Sequence, residues 1–224
     1  MNLKRMTNDT VQRPLKIIFT IQSSPRLPLR QMMNIMLHQK ILFSLMLCAM
    51  AAVAHAQLPE PDKSPLDVSY APHNFPILKI QGKNTMPYPL ARVIYSRPQR
   101  NGRNLFGHEI RYNEIWRLGA NEATELELFR QANIGGKNIP KGRYTLYCVP
   151  EPDKWTIVIN KDNYSWGSFN YKNSNDVARV TIPITRSASA PVEYFTMYFN
   201  ESHHLVILWD DVRATLPISF NLPR

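Results

Sequence analysis

Residues 116–124 place an indole (Trp116), a guanidinium (Arg117), an amide (Asn121) and a carboxylate (Glu122) around a single glycine, Gly119. Together they could hold a small polar ligand. The indole would serve as a stacking wall, the guanidinium as an anion clamp, and Asn121 and Glu122 as hydrogen-bonding groups. The same residues also have a plainer use. Asn121 tolerates left-handed φ and can bracket a turn, while Arg117 and Glu122 could form a partly buried pair that fixes the loop. Nearby, Arg97-Pro98 breaks a strand and Asn101-Gly102-Arg103 makes a tight turn. Arg97 and Arg103 could therefore join Arg117 around one carboxylate or sulfate; otherwise all three are solvated.

Catalysis has fewer candidates. Glu122 and His108 could act as acid/base groups in a metal-independent hydrolase or lyase. His203 and His204 are adjacent, so on a strand they point to opposite faces and do not chelate one ion together. The sequence has no H-E-x-x-H, paired-cysteine, G-x-S-x-G or S-x-x-K motif, and neither a metal nor a cofactor is expected. Gly135-Gly136 reads as a hairpin turn rather than a phosphate cradle, because no helix follows it. Cys148 lies on an apolar strand, where packing is its expected role. The loop 163–171 carries Tyr164, Trp166, Phe169 and Tyr171 among polar residues, and it could stack on a sugar or simply anchor itself.

The elements that must position these groups read as strands. Residues 124–129 alternate polar and apolar, turning Leu126 and Leu128 inward. Residues 143–149 are apolar on both alternations, as in a central strand. Further strands are expected at 92–97, 155–159, 177–184, 192–199, 205–209 and 212–220, with Phe195, Met197 and Phe199 on one face. Pro140-Lys141-Gly142 is a second turn. About eight or nine short strands between Pro/Gly turns predict an all-β fold, a single antiparallel β-sandwich or jelly-roll-like domain.

The N-terminus bears on compartment. Lys40 precedes an apolar run over 41–53 and then Ala54-His55-Ala56, the pattern of a secretory signal peptide cut before Gln57. The run is shorter than the roughly 20 residues of a membrane span, and no transmembrane segment is expected in the mature chain. Leu47 before Cys48 does not suit lipidation. Residues 1–35 read as an extension ahead of the true start, since Met33 and Met36 each give a signal of ordinary length. Residues 36–56 are then the signal, 57–65 a proline-rich extended linker, and 66–224 the β-domain.

Of the 27 Lys/Arg and 17 Asp/Glu residues, seven basic and one acidic lie in the first 56, so a formal charge of +10 falls to +4 after cleavage. Nucleic-acid binding thereby loses its electrostatic basis. Cys148 is then the only cysteine, so no internal disulfide forms.

Several segments together resemble the bacterial domain-of-unknown-function family 2911. They are Tyr95-Ser96-Arg97-Pro98, Gly102-Arg103, Phe106-Gly107, the run 116–124, Gly135-Gly136-Lys137, 140–146, 155–160 and 176–180. Where the family pattern reads Trp-Arg-Thr-Gly-Ala-Asn, Leu118 replaces the threonine. The resemblance covers roughly 64–220 and implies a secreted bacterial β-domain without naming an activity. The expected role is binding of a small polar ligand, glycan or protein partner in the cell envelope, periplasmic or secreted. A hydrolase or lyase, and an envelope assembly module pairing through an exposed edge strand, are the alternatives. If the signal reading holds, mass spectrometry of the exported protein finds Gln57 at its N-terminus; a chain retaining residues before 57 contradicts it.

Overall fold

The computed structural model describes residues 27–54, 59–187 and 190–221. The chain divides into two compact units, residues 1–59 and 60–224. Among its described residues the first contains one helix, α1 (Leu29–Ala54), which covers most of the expected signal segment; residues 55 and 56 lie outside the described residues. Most of the expected extension 1–35 also lies outside them. Among the described residues, no helix is long and apolar enough to cross a membrane.

The second unit is built from antiparallel strands. In chain order they are β1 (Leu66–Ala71), β2 (Ala91–Ser96), β3 (Glu125–Leu128), β4 (Ala132–Ile134), β5 (Lys137–Ile139) and β6 (Gly142–Pro150). There follow β7 (Lys154–Asn160), β8 (Asp176–Arg186), β9 (Val192–Phe199), β10 (Leu205–Asp210), β11 (Val212–Leu216) and β12 (Ile218–Phe220). A six-residue helix, α2 (Phe75–Ile80), sits between β1 and β2. Nine strands form one sheet in the order β1-β2-β3-β6-β7-β8-β11-β10-β9, and β12-β4-β5 form a second.

The large sheet curls until its ends meet, giving a nearly closed barrel. Past β2 the chain continues along the free edge of β9, where Phe195 N–H donates to Pro98 C=O (3.0 Å) and Arg100 N–H to Glu193 C=O (2.8 Å). Phe199 N–H donates to the Ser69 hydroxyl of β1 (3.2 Å). The all-β antiparallel expectation is met. In place of two facing layers, however, the hydrogen bonds draw one continuous sheet with a small accessory sheet beside it.

Local sequence accounts for the layout. In β3, Leu126 and Leu128 are buried, while Glu127 turns outward to Arg92 of β2, 2.6 Å away. β6 is central, between β3 and β7, and its interior residues are buried on both faces. Leu146 and Cys148 face the main core, whereas Tyr147 joins Val158 and Ala123 in a smaller outer cluster capped by Ile115 and Tyr171. The Gly135-Gly136 turn joins β4 to β5, and both glycines have positive φ (55° and 86°). Gly135 is required twice over, since a Cβ there would lie 2.1 Å from Val180 Cγ1. Phe195, Met197 and Phe199 are all buried, as their shared face implied. The expected strand over 212–220 is divided at Pro217 into β11 and β12, which belong to different sheets.

At one end of the barrel the core is aromatic. Trp116 lies 5.8 Å from Trp155, 5.5 Å from Phe195, 6.1 Å from Trp209 and 6.1 Å from Phe106, mostly in edge-on arrangements. Burying a ring of this kind stabilises the fold by on the order of 2–3 kcal/mol, so this cluster is a rigid floor.

Candidate functional site

The run 116–124 is a loop thrown out from the edge of β6. Trp116 and Cys148 exchange backbone hydrogen bonds (2.7 and 2.8 Å), and Thr124 C=O accepts from Leu146 N–H (2.8 Å). Between these anchors, Thr124 N–H donates to Arg117 C=O (3.1 Å) and closes the loop neck. The Thr124 hydroxyl donates to Leu118 C=O. Three residues then bend the chain with positive φ: Leu118 (54°), Gly119 (144°) and Asn121 (56°). Leu118 is fully buried, so its side chain helps to hold a backbone conformation that L residues avoid.

Ser96 clamps the bend. Its hydroxyl is fully buried, donates to Ala120 C=O and accepts Ala120 N–H, both at 2.6 Å. Gly119 permits the approach, because a Cβ there would sit 2.6 Å from that hydroxyl. Neither partner announced the other in the sequence: Ser96 ends β2, twenty-four positions away.

Under this bend lies a cavity of about 210 Å3, bordered by Arg103, Glu109, Trp116, Arg117 and the Gly119-Ala120 backbone, with Ser64 and Trp209 at its walls. A second cavity of about 290 Å3 adjoins it and shares Glu109, Ile110, Trp116 and Arg117; Arg111, Glu114, Ile115 and Ser168 complete it. Arg117 stands between the two. Its guanidinium is half-buried, its Nε is shut off from solvent, and no acceptor reaches it among the described residues. Burial alone pushes its pKa below the ordinary arginine value. The neighbouring charges are already matched: Arg103 faces Glu109 (3.8 Å) and Arg111 faces Glu114 (3.4 Å). With three guanidinium groups against two carboxylates, the cleft keeps one positive charge over, on Arg117.

The sequence-derived candidates divide accordingly. Trp116, Arg117 and Arg103 share the cleft. Trp116, however, is a floor rather than a stacking wall: it is 6 % exposed, and its indole N–H donates to Gly119 C=O (3.2 Å). Arg97 points elsewhere, held by Asp67 (3.1 Å), the Thr196 hydroxyl (3.1 Å) and Phe195 C=O, so three arginines do not converge. Asn121 acts as a bracket, its amide donating to Asp62 (2.8 Å) in the segment expected to be a linker. Glu122 is exposed, makes no pair with Arg117, and is tied to Trp166 through backbone bonding. His108 is exposed, and neither it nor Glu122 borders the cleft.

Sequence reasoning missed Ser64, Ser96 and Glu109 as site residues. Only Glu109, beside His108 and facing a turn arginine, carried a readable signal. Among the described residues no cluster of His, Cys, Asp or Glu could hold a metal ion. Cys148 is fully buried, and its thiol pKa is pushed well up by that burial, which suits packing.

A sequence model of the family described as Protein of unknown function (DUF2911) matches residues 82–218, a span holding every cleft residue named above except Ser64. No curated protein and no solved structure matches the chain.

The clamp makes a quantitative prediction. Ser96→Ala leaves the partly buried N–H and C=O of Ala120 without their partner and costs about 1–3 kcal/mol in urea unfolding. Gly119→Ala costs a similar amount alone but less than its full cost in the Ser96→Ala background, where the clash is relieved. Strictly additive costs would contradict the clamp.

Proposed function

The chain belongs to the DUF2911 family, and we propose that it is an exported β-domain that binds a small anion (a carboxylate, phosphate or sulfate group of its ligand) at Arg117. The family description names no activity, so the reading rests on the cleft. One observation carries it: a half-buried guanidinium with a solvent-shielded Nε and no acceptor, beside two neighbours whose charges are already matched. Leaving a desolvated cation unpaired is costly, and a bidentate anion would supply the acceptors that the fold withholds.

The apolar floor of Trp116 and Trp209 under a polar rim suits a ligand with one charged end and a flat body. Export is supported by the signal pattern of residues 36–56. Acid–base catalysis has less to stand on, because neither Glu122 nor His108 borders the cavity. Assembly by strand addition loses its free edge where residues 98–100 cover β9.

Thermal unfolding in sulfate or acetate tests the reading. Ligand at a hundred times its Kd stabilises the native state by about 2.7 kcal/mol, a shift of several degrees for a domain of this size. Arg117→Met abolishes that shift while leaving the unliganded protein as stable as before or slightly more so, because an unpaired charge is gone. An unchanged anion response in Arg117→Met would contradict the proposal.

A further inference from the structure

The turn that borders the Arg117 cleft also bears rings that the fold leaves in water. Tyr164 is 80 % exposed, Trp166 59 % and Phe169 85 %. Rings used for anchoring would be covered, and in this loop that task falls to Tyr171, which packs edge-on against Tyr147 at 5.1 Å. The other three are nonetheless held on a fixed frame. Gly167 N–H donates to Asn121 C=O (2.8 Å), Ala123 N–H to Ser165 C=O (2.9 Å) and the Ser168 hydroxyl to Ile115 C=O (3.3 Å). A Cβ on Gly167 would come within 2.7 Å of the Phe169 ring, and Gly167 has φ of 64°. Arg143 donates to the Tyr164 hydroxyl (2.8 Å) and lies over its ring.

Ordering a loop costs entropy, and here the ordering displays large apolar faces rather than hiding them. The frame is also continuous with the cleft: Ser168, between Gly167 and Phe169, lines the cavity on one side of Arg117.

We propose that the ligand is an acidic sugar chain, one uronate carboxylate held by Arg117 and neighbouring sugar rings stacked on Phe169 and Trp166. This rests on the anion reading and extends it to a ligand class. Sugar rings present C–H faces that pack on aromatic rings, and their hydroxyls need acceptors beside those rings. The Glu122 carboxylate, bridged to Trp166 through the backbone, has no partner among the described residues and is free to accept them. Lys161 and Lys172 flank the loop, are exposed and form no ion pair among the described residues, which suits a chain carrying repeated carboxylates. A lipid surface fits less well, since inserting Trp166 would strip water from the unpaired Glu122 beside it. Strand addition is not on offer, because the loop's N–H groups at 123 and 167 are already used.

Isothermal titration of the purified protein with galacturonate tetramer, galacturonate monomer, neutral galactose tetramer and phosphatidylglycerol vesicles tests the proposal. The acidic tetramer binds at least about tenfold more tightly than either the monomer or the neutral tetramer, and Phe169→Ala and Trp166→Ala each remove much of that advantage. Both substitutions are on exposed rings, and unchanged thermal unfolding confirms that they fold. Equal affinity for monomer and acidic tetramer, with both variants unaffected, overturns the sugar-chain proposal and leaves the anion reading standing. Equal affinity for the neutral tetramer, or ring-dependent binding to vesicles, also overturns it. If sulfate and acetate fail as well, both readings fall.

Discussion

The hydroxyl of Ser96 bonds both polar groups of Ala120, and the geometry of the cleft follows from that clamp. It pulls the backbone against β2 closely enough that only a glycine fits at position 119. The bend it stabilises sets Leu118 into the core and leaves Arg117 at the cavity wall. Trp116, one residue earlier, is fixed by its pairing with Cys148 and by the rings around it. A charged residue is thus carried on a stretch of backbone that is anchored on both sides. Such positioning is what a binding group needs if it is not to lose affinity through its own disorder.

Set in that frame, the half-buried guanidinium of Arg117 differs from several other arginines of the domain. Arg92 faces Glu127, Arg100 faces Asp210, Arg179 faces Asp176 and Arg186 faces Asp211, each with a carboxylate within 3 Å. These contacts are on or near the surface and are individually worth little, but each sets a carboxylate beside its arginine. At Arg117 the chain places none among the described residues. Its neighbours Glu109 and Glu114 are drawn to other arginines. The same run that withholds an acceptor turns Glu122 outward to the aromatic loop, so that cleft and rings share one backbone scaffold.

Much of the barrel was legible because side-chain alternation is a local property. Residues 192–199 form β9 with the expected bounds, and the double-sided apolar pattern of 143–149 marked the central β6. Closure of the sheet was not legible. It rests on backbone bonds between 98–100 and β9, and Pro98, which looked like a break, supplies one of the acceptors. β1 was missed although its sequence, Leu-Asp-Val-Ser-Tyr-Ala, alternates: its apolar Leu66 and Val68 face outward while Ser69 and Ala71 are buried, and that omission concealed the fate of Arg97, whose carboxylate partner, Asp67, is on β1. Spacing and turn chemistry put Trp116, Arg117 and Arg103 near one another, and all three border one cleft. Asn121 and Glu122 lie outside that cleft, since positive φ at 118, 119 and 121 rotates the chain in a way that residue types alone do not reveal.

Arg117 lacks an acceptor among the described residues, and on the proposed reading it takes one from a ligand. Arginine side-chain nitrogen NMR reads this directly, through the Arg117 Nε–H signal in sulfate or acetate titrations. The account predicts a saturable shift of that signal and slowed proton exchange, both centred on Arg117. A signal already slowed in the free protein, or one that stays still while other arginine signals move, would contradict it.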